Sequence, residues 1–210
     1  MKNIVCNYSN KELKKVYSFI EENFGFVAEE FNESIFKTNE LNFKIAIVPP
    51  TDEQPFYKLV TVGAGAYKMN VQSKLKKQPN ARAEYVIYLP KDWDFDTINA
   101  KNYWPVELLE RTACYASEAN TWLGAGHSIS GIGTGLFESL VLFPCFDKAN
   151  ENELAALNLG IGKKVSFYQI FPLYKEEAEF YENEGMEALL NKLDEKDLDC
   201  VVNINRKNYC

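Results

Sequence analysis

The chain has 210 residues, enough for one domain with a sizeable core, and its 46 % hydrophobic and 25 % charged content is ordinary for a globular protein. A formal net charge of −7 argues against nucleic acid, which calls for a basic stripe, and suits either a protein whose acidity serves solubility alone or one whose partner is basic. No run of about 18 apolar residues offers a membrane span, the N-terminus is too polar for a signal peptide, and five scattered cysteines without a C-x-x-C pair point to reduced thiols and a cytoplasmic location.

In chain order, Ser9-Asn10-Lys11-Glu12 has the form of a capping box. Leu13, Val16, Tyr17, Ile20 and Phe24 follow at helical spacing, and Gly25 ends the pattern. Strands are expected at 26–31, 34–38, 41–48, 56–62 and 82–89, punctuated by Pro49-Pro50, by Gly63-Ala64-Gly65-Ala66 and by Pro90. The polar connection 73–81 carries Lys74, Lys76 and Lys77, a solvated tip. Pro105 is expected to open a second helix that runs to Asn120, since its fixed φ suits a first turn. Leu108, Leu109, Thr112, Ala113 and Ala116 give that helix a buried face of mostly small side chains, able to sit close to a sheet. A glycine-rich loop spans Thr121 to Gly135, followed by a strand at 136–143, a short helix or turn at 150–159 and a strand at 164–171. Two helical stretches, 174–184 and 186–193, meet at Gly185, and a last strand is expected at 199–204. Strands and helices are mixed without strict β-α-β alternation. The expected fold is therefore α+β, one domain over 1–210, with helices packed on a central mixed or mostly antiparallel β-sheet.

The loop TWLGAGHSISGIGTG concentrates five of the eleven glycines and the sole histidine, His127. Glycine is costly to order, so a dense run marks a place where backbone conformation or close approach is required. Trp122 is expected to plug the loop into the core, with Gly124 and Gly126 shaping it and Trp104-Pro105 at the near end of the preceding helix. Chemistry at His127 lacks supporting residues. The G-x-S-x-G elbow fails because Ser130 stands where glycine is needed, and no second histidine exists for a triad or a zinc cluster. Hydrogen bonding within the loop is the expected role of His127; a small-ligand or enzymatic use of it is the alternative. The 157–164 stretch resembles a phosphate loop only in its Gly-Lys, and no calcium loop is present. Adjacent acidic residues, Glu176-Glu177 and Asp92/Asp94/Asp96, read as solvated charge. No metal, cofactor or catalytic residue is expected, and elimination favours a binding protein.

Trp104-Pro105-Val106-Glu107-Leu108-Leu109, followed by Asn120-Thr121-Trp122-Leu123-Gly124-Ala125-Gly126-His127, strongly resembles the Suppressor of fused family. Val48-Pro49-Pro50-Thr51, Leu59-Val60-Thr61-Val62-Gly63, Tyr88-Leu89-Pro90-Lys91-Asp92-Trp93, Pro172-Leu173-Tyr174-Lys175-Glu176-Glu177, Gly185-Met186 and Arg206 continue the likeness in order, over about 41–206. The resemblance implies an α+β domain without known catalysis. In animal members such a domain is one of two lobes that clamp a peptide of a zinc-finger transcription factor as an added strand, with Tyr67 near the peptide. Stand-alone members look bacterial and are proposed as immunity proteins that neutralise toxins. The expected contact region combines Tyr67 and Trp93 with Asp92, Asp94 and Asp96, aromatic anchors in an acidic rim for a basic protein partner.

Overall fold

The computed structural model describes residues 5–31, 41–71, 81–95, 100–133, 135–194, 200–208 and 210. The first helix, α1 (Asn10–Asn23), starts where the capping box predicts: the Glu12 amide donates to Ser9 Oγ at 3.3 Å, and the Ser9 amide donates to Glu12 Oε2 at 2.9 Å. Eight strands are described: β1 (Glu29–Phe31), β2 (Lys44–Val48), β3 (Phe56–Val62), β4 (Ala83–Pro90), β5 (Ser128–Ser130), β6 (Ser139–Pro144), β7 (Ala156–Asn158) and β8 (Lys164–Leu173). They form one sheet in the order β1-β2-β3-β4-β8-β6-β5, with β7 pairing β8 off that path. Every pairing is antiparallel except β4 with β8, where Ala83 to Val86 lie beside Ser166 to Gln169. The mixed α+β architecture is the expected one.

Side chains alternate across the sheet, and helices cover both faces. Ile45, Ile47, Leu59, Tyr85, Ile87, Leu142 and Ile170 face α2 (Ala100–Glu118), whose Leu108, Leu109, Thr112, Ala113 and Ala116 are buried. Ala46, Val48, Val60, Val62, Val86 and Phe167 face α1, where Phe19 stacks on Phe167 at 4.8 Å between ring centres. Val141, Phe171 and Leu173 pack on α3 (Lys175–Asp194). The result is three layers, one helix on one face and two on the other.

Several boundaries differ from expectation. Helix α2 begins at Ala100, so Pro105 lies inside it and Trp104, 8 % exposed, is a helical core residue rather than a flank. Proline there removes only the one amide that would bond back to residue 101, a loss the helix tolerates so close to its start. Its far end closes at Asn120, whose φ of +49° turns the chain so that the Thr121 amide reaches the Ala116 carbonyl at 3.0 Å. The glycine-rich stretch is not one long loop: β5 lies in its middle and pairs with β6. Residues 150–159 form a turn leading into β7 and contain no helix. Residues 200–204 form no strand, though the Val202 amide donates to the Tyr88 carbonyl at 2.9 Å. The expected strand at 34–38 and the lysine-bearing tip at 74–77 lie outside the described residues. The two halves of α3 do meet at Gly185, whose φ of +83° breaks the helical path. None of the five cysteines is in a disulfide. Among the described residues, no helix is long and apolar enough to cross a membrane.

Candidate partner-binding site

Strand β1 ends the sheet on one side among the described residues. An edge strand has one flank of N–H and C=O groups turned away from its neighbour, a template for another strand. Period-two alternation sends Glu30 to the α1 side, where it accepts from Lys44 Nζ at 2.9 Å and from the Tyr17 hydroxyl. Glu29 and Phe31 therefore point to the α2 side. There a groove of about 290 Å³ opens beside the edge, lined by Ala28, Glu29, Ile47, Pro49, Tyr57, Trp93, Asp94 and Phe95.

The walls of this groove are held from α2. Asn102 accepts the Trp93 indole N–H on its carbonyl oxygen at 3.2 Å and donates from its side-chain amide to Asp94 Oδ2 at 3.2 Å. One residue thus fixes both the ring and the carboxylate. Trp93 stands edge-on to Trp104 with ring centres 6.1 Å apart, and Tyr57 meets Phe95 edge to face at 4.9 Å. Phe31 joins Phe95 at 6.1 Å and Tyr103 at 6.5 Å. Trp93 and Asp94 were legible in the sequence. Glu29, Tyr57 and Asn102 were not, because they come from three separate stretches that only the sheet edge and α2 bring together; Phe95, beside Asp94 in sequence, carried no signal of its own.

The other expected contact residues are spread out. Asp92 is exposed on the turn after β4 and does not line the groove, and Asp96 lies outside the described residues. Tyr67 is half-buried at the far end of the same strand pair: it follows β3, whereas Trp93 follows β4, and the two strands are antiparallel. Seven strand residues at about 3.3 Å each separate the two by roughly 20 Å. Tyr67 and Trp93 do not share one small surface.

The Tyr67 end has its own construction. Glu84, 0 % exposed, accepts from Tyr8 Oη at 2.7 Å, Thr61 Oγ1 at 2.6 Å and the amides of Gly63, Ala64 and Gly65 at 3.0, 3.2 and 3.0 Å. Burial pushes its carboxyl up, and the hydrogen bonds, led by Thr61 and Tyr8, pull it part of the way back. A side chain at position 65 would collide with the Tyr8 hydroxyl and Val165, so glycine is required there. This buried carboxylate fixes the turn that precedes Tyr67. Sequence reading passed over it, although Glu84 alternates with Val86 in a strand covered on both faces.

His127 lies beside β5, at the opposite sheet edge from the groove. Its amide donates to the Gly124 carbonyl at 3.1 Å, its ring hydrogen-bonds the Trp122 backbone, and the two rings are T-shaped at 4.3 Å. Partial burial lowers its pKa, and the bond to Trp122 opposes that. Trp122 is only half-buried; Leu123, 2 % exposed, is the residue that plugs this segment into the core. Gly124 gives Trp122 room, since a Cβ there would come within 2.8 Å of its ring, and the Gly126 carbonyl accepts from the Tyr181 hydroxyl. Among the described residues, no three His, Cys, Asp or Glu side chains converge as a metal site. Glu177, expected in solvent, is buried against Arg206 instead.

The fold and the ordered motifs agree with comparisons to known proteins. An uncharacterised protein of Ureaplasma parvum, UU111, is 27 % identical over 210 residues, covering 96 % of this chain and 97 % of that one. A crystal structure of a Suppressor of fused homologue from Neisseria gonorrhoeae superposes with a TM-score of 0.64 at 18 % identity, covering 96 % of this chain and 98 % of that one. The crystal structure of a Sufu–Fu complex gives a TM-score of 0.60 at 14 % identity, with 97 % and 92 % covered. Drosophila Suppressor of Fused gives 0.52 at 15 % identity over 80 % of this chain and 42 % of that protein. Residues 39–207 match the family of Suppressor of fused protein (SUFU), and the chain belongs to that family.

Proposed function

We propose that this chain is a non-enzymatic protein-binding domain whose partner adds an extended segment to the outer flank of β1. The observation that carries this reading is the groove of about 290 Å³ set against an edge strand, since strand addition takes affinity from main-chain hydrogen bonds and specificity from an adjoining pocket. A fold relative crystallised as a Sufu–Fu complex supports a protein as the partner class. The net charge of −7 favours a basic partner, drawn in by opposite fields. In its biological form we read the domain as a cytoplasmic immunity protein that neutralises a toxin. For the alternative, a ligand or reaction at His127, no three His, Cys, Asp or Glu side chains converge among the described residues.

The test places a photo-crosslinking residue at Glu29, beside the groove, or at fully exposed Ile161 in the β7–β8 turn, and co-expresses each with a toxin encoded next to the gene. Crosslinking to the toxin from position 29 but not 161, with growth restored and association slowed by salt, is the expected outcome. Crosslinking from 161 alone would move the interface elsewhere, and absence of rescue would sink the immunity reading.

A further inference from the structure

We propose that Lys58 and Lys148 form a binding site for a phosphoryl group, a dianionic oxyanion held between two ammonium heads on the α1 side of the sheet. The site is independent of the strand-addition reading and lies on the opposite face from the β1 groove. Lys58 shares its face of β3 with Val60 and Val62, beside Val48 of β2 and Tyr88 of β4. It is 2 % exposed, and lysine is almost never buried so far without a paired charge. Among the described residues, no acceptor takes a hydrogen bond from its ammonium, and the charged group that acts on it is a second cation, Lys148.

Lys148 is brought there by the turn after β6. Its amide donates to Asn23 Oδ1 at 3.0 Å, and the Asn23 side chain in turn donates to the Phe19 carbonyl of α1 at 3.0 Å. Two residues past Asn23, a Cβ at Gly25 would come within 3.0 Å of Val48, the register partner of Lys58. The turn is braced by the Asp147 amide on the Glu153 carbonyl and the Glu153 amide on the Asn150 carbonyl, both at 2.8 Å. Asp147, the nearest acid in sequence, accepts the Ala149 amide at 2.8 Å within its own turn.

A buried ammonium facing another cation is penalised twice, by lost hydration and by like charge. The Phe56 ring, 5.1 Å from the Lys58 ammonium, offsets only part of this, since a cation over a ring recovers less than the lost hydration costs. An anion between the two heads relieves both penalties at once. A phosphoryl group suits the place better than a halide or a carboxylate. Two cations match its two charges, and its tetrahedral oxygens accept from ammonium groups on different sides. The flexible stem of exposed Lys148 lets it close onto an anion that Lys58 already engages. The net charge of −7 opposes an anion at long range, but that field is screened beyond about 8 Å at physiological ionic strength, so the adjacent lysines decide.

The test titrates the intact protein, its lysines labelled with carbon-13, at constant ionic strength. The probes are inorganic phosphate, N-acetyl-phosphoserine-amide and, as a monoanionic control, nitrate. Binding is read at the Cε resonances of Lys58 and Lys148. Phosphate is expected to bind roughly tenfold more tightly than nitrate or better, and Lys58→Met and Lys148→Met should each weaken it by about tenfold, one charge-assisted hydrogen bond apiece. Lys15→Met, at an exposed lysine of α1, should leave it unchanged. Lys58→Met removes an unpaired charge and so should stay folded; phosphate should raise the thermal midpoint of the unaltered protein and not that of this variant. A response to phosphate alone assigns a free ion, and a response to the phosphoserine amide as well assigns a phosphoryl group carried on a larger molecule. Equal affinity for phosphate and nitrate, unmoved Cε resonances, or an equal loss in Lys15→Met would overturn the proposal.

Discussion

Arg206 fastens the last described segment of the chain to the sheet, and its removal should be costly. The guanidinium and the Glu177 carboxylate are only 4 % and 1 % exposed. Arg206 Nη1 donates to Glu177 Oε1, and Nη2 donates to Oε2 at 2.6 Å and to the Pro172 carbonyl at 3.0 Å. The cation also lies 4.5 Å from the ring centre of Tyr174 and 5.1 Å from that of Phe137. Glu177 in turn accepts the Tyr174 amide at 3.0 Å in the first turn of α3, where the helix dipole favours a carboxylate. Deleting one member leaves the other charged and buried, which typically costs about 3–5 kcal/mol. Glu177→Leu and Arg206→Met should each lose that much, a fall in midpoint of roughly 10 °C for a chain of this size. The double variant Glu177→Leu/Arg206→Met should lose clearly less than the two singles combined, because no orphan charge remains. Urea unfolding of the four proteins gives the coupling directly, provided the slope with denaturant is unchanged. A single-variant loss under about 1 kcal/mol, the range of an exposed pair, would refute the assignment of this bridge as a buried fastening.

Glu12 accepts from Lys163 Nζ at 2.6 Å as well as from Ser9, and these bonds, Lys163 first, lower its pKa from 4.5 to about 2. A depressed carboxylate contributes stability above its unfolded value and loses it as pH falls through the folded one, so the loss belongs between about 4.5 and about 2. Carbon-13 NMR titration of Glu12 should show the low midpoint, and Lys163→Met should raise it; an unchanged midpoint would contradict the bond. Lys58 is 2 % exposed on β3, its ammonium 5.1 Å from the Phe56 ring, with desolvation and then the charge of Lys148 lowering its pKa. Lys58→Met should stabilise the fold by about 1–3 kcal/mol, since it removes a desolvated charge that has no carboxylate beside it among the described residues. Loss of stability in this variant would show that the ammonium has a favourable role.

The elements that were legible in the sequence are those whose signals are local. The α1 start follows from Ser9 and Glu12, three residues apart, and β3 matches its expected 56–62 span because glycines and prolines bound it. The true start of α2 was hidden because proline reads as a first-turn residue, whereas a tertiary surface offered to Tyr103 and Trp104 extends the helix before it. Strand β7 has only three residues and takes its pairing wholly from β8. Buried charges were the main blind spot. Glu84 and Glu177 look solvated in sequence because their donors, Tyr8 and Arg206, lie 76 and 29 residues away. The groove was half legible for the same reason: Trp93 and Asp94 are adjacent, but Glu29 and Tyr57 join them only through the register of β1, β2 and β3.

The lone parallel ladder has a kinetic consequence. Strands β1 to β4 can assemble by successive antiparallel pairings within the first half of the chain, and β5 to β8 within the second. Among the described strands, only β4 and β8 join these halves, with Val86 beside Gln169. Closing that seam requires bringing together segments far apart in sequence, a loop-closure cost met before the contacts it allows are gained. Refolding should therefore show amide protection first within the two antiparallel units and last along residues 83–86 and 166–169. A chain stalled before that step would expose β4 and β8 as unpaired edges, and those two strands are where self-association during folding would begin.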